Sequence, residues 1–136
     1  MAALRGLHAA ARDVADHGRR VADRVQVLYP GCPPGVVEVA RHHQALEARS
    51  ATPDGLRRAG LSERSIEAIV ALTRFDRESD EAYFSRVRTN PWALMVAHAD
   101  AVVSADAAAL ADLGPDDRAR FEADLDRTFR ALDLES

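Results

Sequence analysis

The sequence has 136 residues and a formal net charge of −4; all 18 basic residues are arginine, and alanine occurs 27 times. This length supports one domain, residues 1–136, with a real core, while the mildly acidic balance without a basic run excludes a general nucleic-acid binder. The single Cys32 excludes an internal disulfide and a Cys-based zinc site, and no run reaches the about 18 apolar residues of a membrane span.

Strand signals are nearly missing, because β-branched and aromatic residues are sparse and no segment alternates with period two. Alanine, arginine, leucine and glutamate, all strong helix formers, dominate instead. The pattern predicts a first helix over 2–14 and a second over 16–28, with Val21, Val25 and Leu28 on one side. The run from Tyr29 to Gly35 breaks the chain with three prolines and two glycines. A third helix is predicted over 34–48. Thr52-Pro53-Asp54 reads as N-cap, first helical position and acidic first turn of a short fourth helix ending near Gly60.

Ser62 caps a fifth helix to about Arg74, with Ile66, Ile69, Val70 and Thr73 on one face. Ser79, followed by Asp80 and Glu81, starts a sixth that ends near Arg88. Asn90-Pro91 opens a long apolar helix to about Leu113. Gly114-Pro115 opens the last, where Phe121, Leu125, Phe129 and Leu132 form a stripe. That stripe is either the seam holding the last helix to the bundle or a homodimer contact. Trp92, Tyr83, Met95 and Val96 read as core or core-edge residues. The expected fold is all-α, a compact bundle of seven or eight helices. The N-terminus has no basic segment followed by a long apolar one, so a signal peptide is not expected and a cytoplasmic location is the default.

Five histidines stand at 8, 17, 42, 43 and 98. His43 and Glu47 are four apart and would share a helix face. His98 and Asp100 are two apart, roughly 200° around a helix, and point in different directions. A metal site made from this chain therefore has to draw on several helices. Imidazole with carboxylate suits Mn, Fe or Zn. Taken singly, each histidine reads more simply as a surface or packed residue.

Several short pieces occur in a particular order: His17-Gly18-Arg19-Arg20-Val21-Ala22, then His43-Gln44-Ala45-Leu46-Glu47-Ala48, then Thr52-Pro53-Asp54-Gly55-Leu56. Leu72-Thr73-Arg74, Glu81-Ala82-Tyr83, Arg86, Asn90-Pro91 and Val96-Ala97-His98-Ala99-Asp100 follow. This ordered set, spanning 17 to about 104, resembles the HD superfamily of metal-dependent phosphohydrolases, in its branch of small alarmone (ppGpp) hydrolases. The resemblance implies an HD-domain-like bundle and a divalent-metal site made of His17, His43 and Asp100. It also implies Glu47 as a proton acceptor, and Arg20, Gln44, Arg74 and Arg86 as residues facing a nucleotide or another small phosphorylated molecule.

The chain departs from that pattern at three places. The family's fourth metal ligand, an Asp, is Gln44, whose neutral amide oxygen is a poorer ligand and would weaken metal binding. The second carboxylate of the family's Glu-Asp pair is Ala48. The Lys before the metal Asp is His98. A register slipped by one would make His42 the ligand and put His43 at the Asp position; the Gln44 register keeps the Thr-Pro spacing intact. Two functional readings follow. One is an altered hydrolase of phosphate esters or pyrophosphates. The other is a degenerate HD fold that serves as a ligand-binding or regulatory module.

Overall fold

The computed structural model describes the backbone of residues 2–49 and 51–134, and side chains from Ala15 onward apart from Leu110. The histidine at position 8 and the side chains of the first predicted helix thus lie outside the described residues. Among the described residues seven helices follow one another: α1 (Ala2–Leu28), α2 (Pro34–His42), α3 (Pro53–Arg58), α4 (Glu63–Ala71), α5 (Asp80–Arg88), α6 (Pro91–Leu110) and α7 (Pro115–Ala131). No strand occurs among the described residues, so the all-α expectation holds.

Local chemistry sets most helix starts. The side chains of Thr52, Ser62, Ser79 and Asn90 accept hydrogen bonds from the backbone N–H of Gly55, Ser65, Ala82 and Ala93, at 3.0–3.1 Å. Each satisfies a donor that the helix itself leaves unpaired, a contribution of about 1 kcal/mol. Pro34, Pro53, Pro91 and Pro115 occupy first-turn positions, where a missing N–H costs nothing.

Four expected boundaries are corrected. The two helices predicted over 2–14 and 16–28 are one continuous helix, α1. Asp16 does not cap a new helix; its carboxylate pairs forward with Arg19 at 3.2 Å and Arg20 at 3.0 Å, contacts that need an unbroken helix. The helix expected to reach residue 48 stops at His42 and continues as turns to 49. The His43 ring takes the Ala40 carbonyl at 2.6 Å, the acceptor that Gln44 N–H would use in a continuing helix. Arg49 then adopts φ 57°, which a helix cannot accommodate. Finally, α4 and α6 each end three residues early, at Ala71 and Leu110.

Val21 and Val25 of α1, Val36 and Val39 of α2, Ile69 of α4, Val87 of α5 and Val96 of α6 are fully buried and form the centre of the core. Helix α6 is the hub, since α1, α2, α4, α5 and α7 all pack on it. Trp92 is buried beneath the Arg64 guanidinium, 4.2 Å from the ring centre, an arrangement favourable for a cation over an indole. On α7 only Phe129 and the adjacent Leu132 are buried; Phe121 and Leu125 are half-covered.

Arg86 has a structural job. Its Nε donates to the Ala71 carbonyl at 3.2 Å and its Nη2 to the Thr73 carbonyl at 2.9 Å, closing the end of α4. The same guanidinium grips Glu78, so it staples the 72–79 loop to α5. That hydrogen bond from Arg86 holds the Glu78 carboxyl below its ordinary pKa. The contribution is therefore present at neutral pH and lost as pH falls through the folded-state pKa of Glu78. Arg86→Ala is expected to lower the melting temperature at pH 7, by less at pH 4. Thermal unfolding followed by circular dichroism measures this; an unchanged melting temperature at pH 7 refutes the staple.

Candidate metal centre

His17 lies on α1, His43 caps the C-terminus of α2, and Asp100 sits midway along α6. Residues 26 and 57 apart in sequence thus meet at one point. His17 Nε2 is 2.5 Å from Asp100 Oδ1, and His43 Nε2 is 3.8 Å from the same oxygen. The two rings lie 5.5 Å apart, tilted at 51°. One ligand atom from each of the three residues falls within 4.8 Å of the other two. His43 is 5% exposed, while the side chains of His17 and Asp100 remain 26% and 35% exposed. The cluster is therefore closed behind and open in front.

Gly18 is what lets these helices come together. A Cβ built there would stand 2.3 Å from the Arg41 carbonyl oxygen. The α1 and α2 backbones touch next to both histidines, and no residue larger than glycine fits without parting them.

The donor set fits a divalent ion. His43 Nδ1–H donates to the Ala40 carbonyl, so in the neutral ring, the form that binds a metal, the tautomer is fixed and Nε2 carries the lone pair. That Nε2 is buried and has no hydrogen-bond partner. At 3.8 Å from Asp100 it is beyond hydrogen-bond reach. A buried imidazole acceptor with no partner is costly, and an ion facing Asp100 would satisfy it. His17 and Asp100 stand closer than two ligands of one ion, which sit roughly 3 Å apart given bonds near 2.1 Å. Binding would replace their direct hydrogen bond.

Electrostatics couples the three groups. Burial disfavours charge on Asp100, but the His17 and His43 rings outweigh it and hold the carboxyl far below its ordinary pKa. Burial likewise disfavours charge on His43; the Asp100 carboxylate outweighs that as well, and the His43 pKa rises.

No family model matches the chain, and no curated protein matches it. His42 is half-exposed and lies 3.7 Å from Glu38; His43, not His42, clusters with His17 and Asp100. His98 points away from Asp100. Its Nδ1 is 2.7 Å from the Tyr29 hydroxyl, and its ring meets Phe129 edge-on at 6.1 Å. Gln44 is half-buried, next to His43 in the chain.

Arg20 is exposed, pairs with Asp16, and lines a groove of about 300 Å³ with Arg24 and Asp106 that holds none of the triad. Arg86 is spent on Glu78 and the end of α4. Neither is placed as a phosphate clamp. The expected His43–Glu47 helix face does not exist, because 43–49 are turns. Glu47 is exposed, and its Oε1 accepts the Arg74 backbone N–H at 2.7 Å.

Arg74 is better placed. It lines a cavity of about 280 Å³ that also includes Asp100. Its guanidinium lies 4.2 Å over the Tyr83 ring, and its Nη1 donates to Asp80 at 2.7 Å. Its Nε and Nη2 have no partner among the described residues. Burial pushes the Tyr83 hydroxyl up to about 12, so the ring stays neutral under the cation. Sequence reasoning missed Gly18, the Ala40 carbonyl and the contribution of α7 to this cavity. The α7 stripe was the visible signal, but nothing in it distinguishes a packing seam from a cavity wall.

Proposed function

We propose that this chain is a metal-dependent phosphohydrolase of the HD type, altered from the alarmone hydrolases it resembles, with His17, His43 and Asp100 as the metal ligands. The unpartnered, buried Nε2 of His43, aimed at Asp100, carries this reading. A bound Mn, Fe or Zn ion supplies Lewis-acid polarisation of a phosphoryl oxygen and a lowered water pKa. The chain's own groups do the rest. Ala40 keeps the His43 lone pair directed into the site. Arg74 offers an Nε/Nη2 edge suited to two oxygens of one phosphate. Glu47, with one carboxylate oxygen engaged by Arg74 N–H, keeps the other as a proton acceptor.

The test is calorimetric titration of the metal-free protein with Mn, Fe, Zn and Co. The expected result is one ion per chain with micromolar or tighter affinity, lost in His43→Leu. Absence of binding by all four overturns the reading.

One observation favours the degenerate alternative. His17 and Asp100 already satisfy each other directly at 2.5 Å, while Gln44 and Ala48 replace two family carboxylates. In that reading the triad is an internal hydrogen-bonded post, and the fold binds a small phosphorylated molecule without turning it over. Phosphate release from phosphate esters by the Mn-loaded protein, abolished by Asp100→Asn, would count against it.

A further inference from the structure

The cavity beside Asp100 is walled on one side by α7, a helix outside the stretch that carries the family resemblance. Phe121 and Leu125 of α7 line it, together with Phe84 of α5 and Leu132 just beyond α7. Phe129, on the same stripe, is committed to the core against His98. Phe121 and Leu125 stay half-exposed instead, and what they present is the cavity. Polar character is confined to a few groups. Asp100 belongs to the triad, Asp124 is held by Arg127, the Thr128 hydroxyl donates to the Asp124 carbonyl, Ser104 contributes a hydroxyl, and Arg74, stacked on Tyr83, is the cation among the described lining residues.

At about 280 Å³ the space lies at the small end of ligand pockets. A single arginine meets one phosphate group, not the four of an alarmone. On the α5 and α7 sides Phe84, Phe121, Leu125 and Leu132 give the cavity an aromatic and aliphatic wall, which rewards an apolar body.

We propose that this cavity selects phosphomonoesters of small aryl or alkyl alcohols, with Phe121 and Leu125 holding the apolar body and Arg74 the phosphate. The proposal rests on the phosphohydrolase reading for its chemistry, while the selection itself is a property of the cavity. In the reaction a water oxygen bonds to phosphorus. The P–O bond to the alcohol breaks and its electron pair leaves with the alcohol oxygen. One water proton ends on that oxygen, giving free alcohol and inorganic phosphate.

Binding tests this without turnover. The full chain, with and without Mn, is titrated calorimetrically with phenylphosphonate, inorganic phosphate and guanosine tetraphosphate. Phenylphosphonate is expected to bind at least about tenfold tighter than phosphate, and guanosine tetraphosphate no tighter than phosphate. Phe121→Ala should erase the phenyl preference and leave phosphate binding unchanged. Leu125→Trp, which fills the cavity from a half-exposed position, should do the same and serves if Phe121→Ala does not fold. Equal affinity for phenylphosphonate and phosphate, or tighter binding of guanosine tetraphosphate, overturns the proposal in a protein that still binds Mn. Phenyl-selective binding in a protein that binds no metal upholds the cavity assignment and overturns the metal reading. Failure of both Mn and phenylphosphonate to bind overturns both.

Discussion

Gly18→Ala is expected to destabilise the protein by about 1–3 kcal/mol and to weaken metal binding at the triad at least about tenfold. Helix propensity alone predicts the opposite, since alanine in a helix interior is about 1 kcal/mol better than glycine. Packing decides the sign. The added methyl would lie 2.3 Å from the Arg41 carbonyl oxygen, and a backbone atom cannot rotate away as a side chain can. Relief comes only if α1 and α2 separate. Because His17 precedes the contact on α1 and His43 follows it on α2, separation pulls these two histidines of the triad apart directly. Urea unfolding and Mn titration of the same variant measure both effects. A Gly18→Ala protein as stable as the parent, with unchanged metal affinity, refutes the close-approach argument.

Asp100→Asn is expected to reverse the pH dependence of stability in the metal-free protein. Two groups set the parent's behaviour. Asp100 has a depressed folded-state pKa, so its contribution is present above the ordinary carboxyl value of about 3.9 and lost as pH falls toward the folded value. His43 has a raised one. Its contribution is complete below about 6.5 and lost as pH rises through the folded value. The contribution of this pair to the metal-free parent is therefore largest between about pH 4 and 6.5 and declines above that window.

In Asp100→Asn the carboxylate that outweighs burial of His43 is gone. Burial, the largest influence on His43, is then opposed only by the weaker pulls of the Ala40 carbonyl and Glu47; it lowers the His43 pKa, and stability rises with pH between about 5 and 7 instead of levelling and falling. Denaturant unfolding at several pH values reads the slope directly. The same substitution should cost at least about 100-fold in Mn affinity, since losing a ligand costs no less than losing its supporting shell. Saturating Mn should also remove the parent's decline above pH 6.5, because the ion binds neutral imidazole. Parallel pH profiles for parent and variant would refute the coupling.

Much of the architecture was legible along the chain because it depends on short-range chemistry. Thr52, Ser62, Ser79 and Asn90 are caps whose acceptors meet an N–H three residues on, so the sequence and the fold agree there. The triad was legible only through the ordered resemblance. Spacing linked His43 with Glu47 through a helix that ends at His42, and that argument failed. Arg20 and Arg86 show the limit of reading arginines singly. In a chain whose every basic residue is arginine, type says nothing about role. The guanidinium of Arg86 is occupied by Glu78 and two carbonyls, while Arg74 lines the cavity beside Asp100.

What the sequence determined by itself is therefore the all-helical class, the helix starts and the buried faces, since each follows from periodicity and capping within a few residues. What only the tertiary structure decided is whether distant groups meet. His17, His43 and Asp100 converge because α1 and α2 touch at Gly18 and α6 crosses the centre of the bundle. Phe121 and Leu125 wall a cavity because α7 packs its C-terminal half into the core and leaves its middle beside Asp100. Those outcomes depend on how helix surfaces pack, a property of pairs of elements that no single stretch of residues contains.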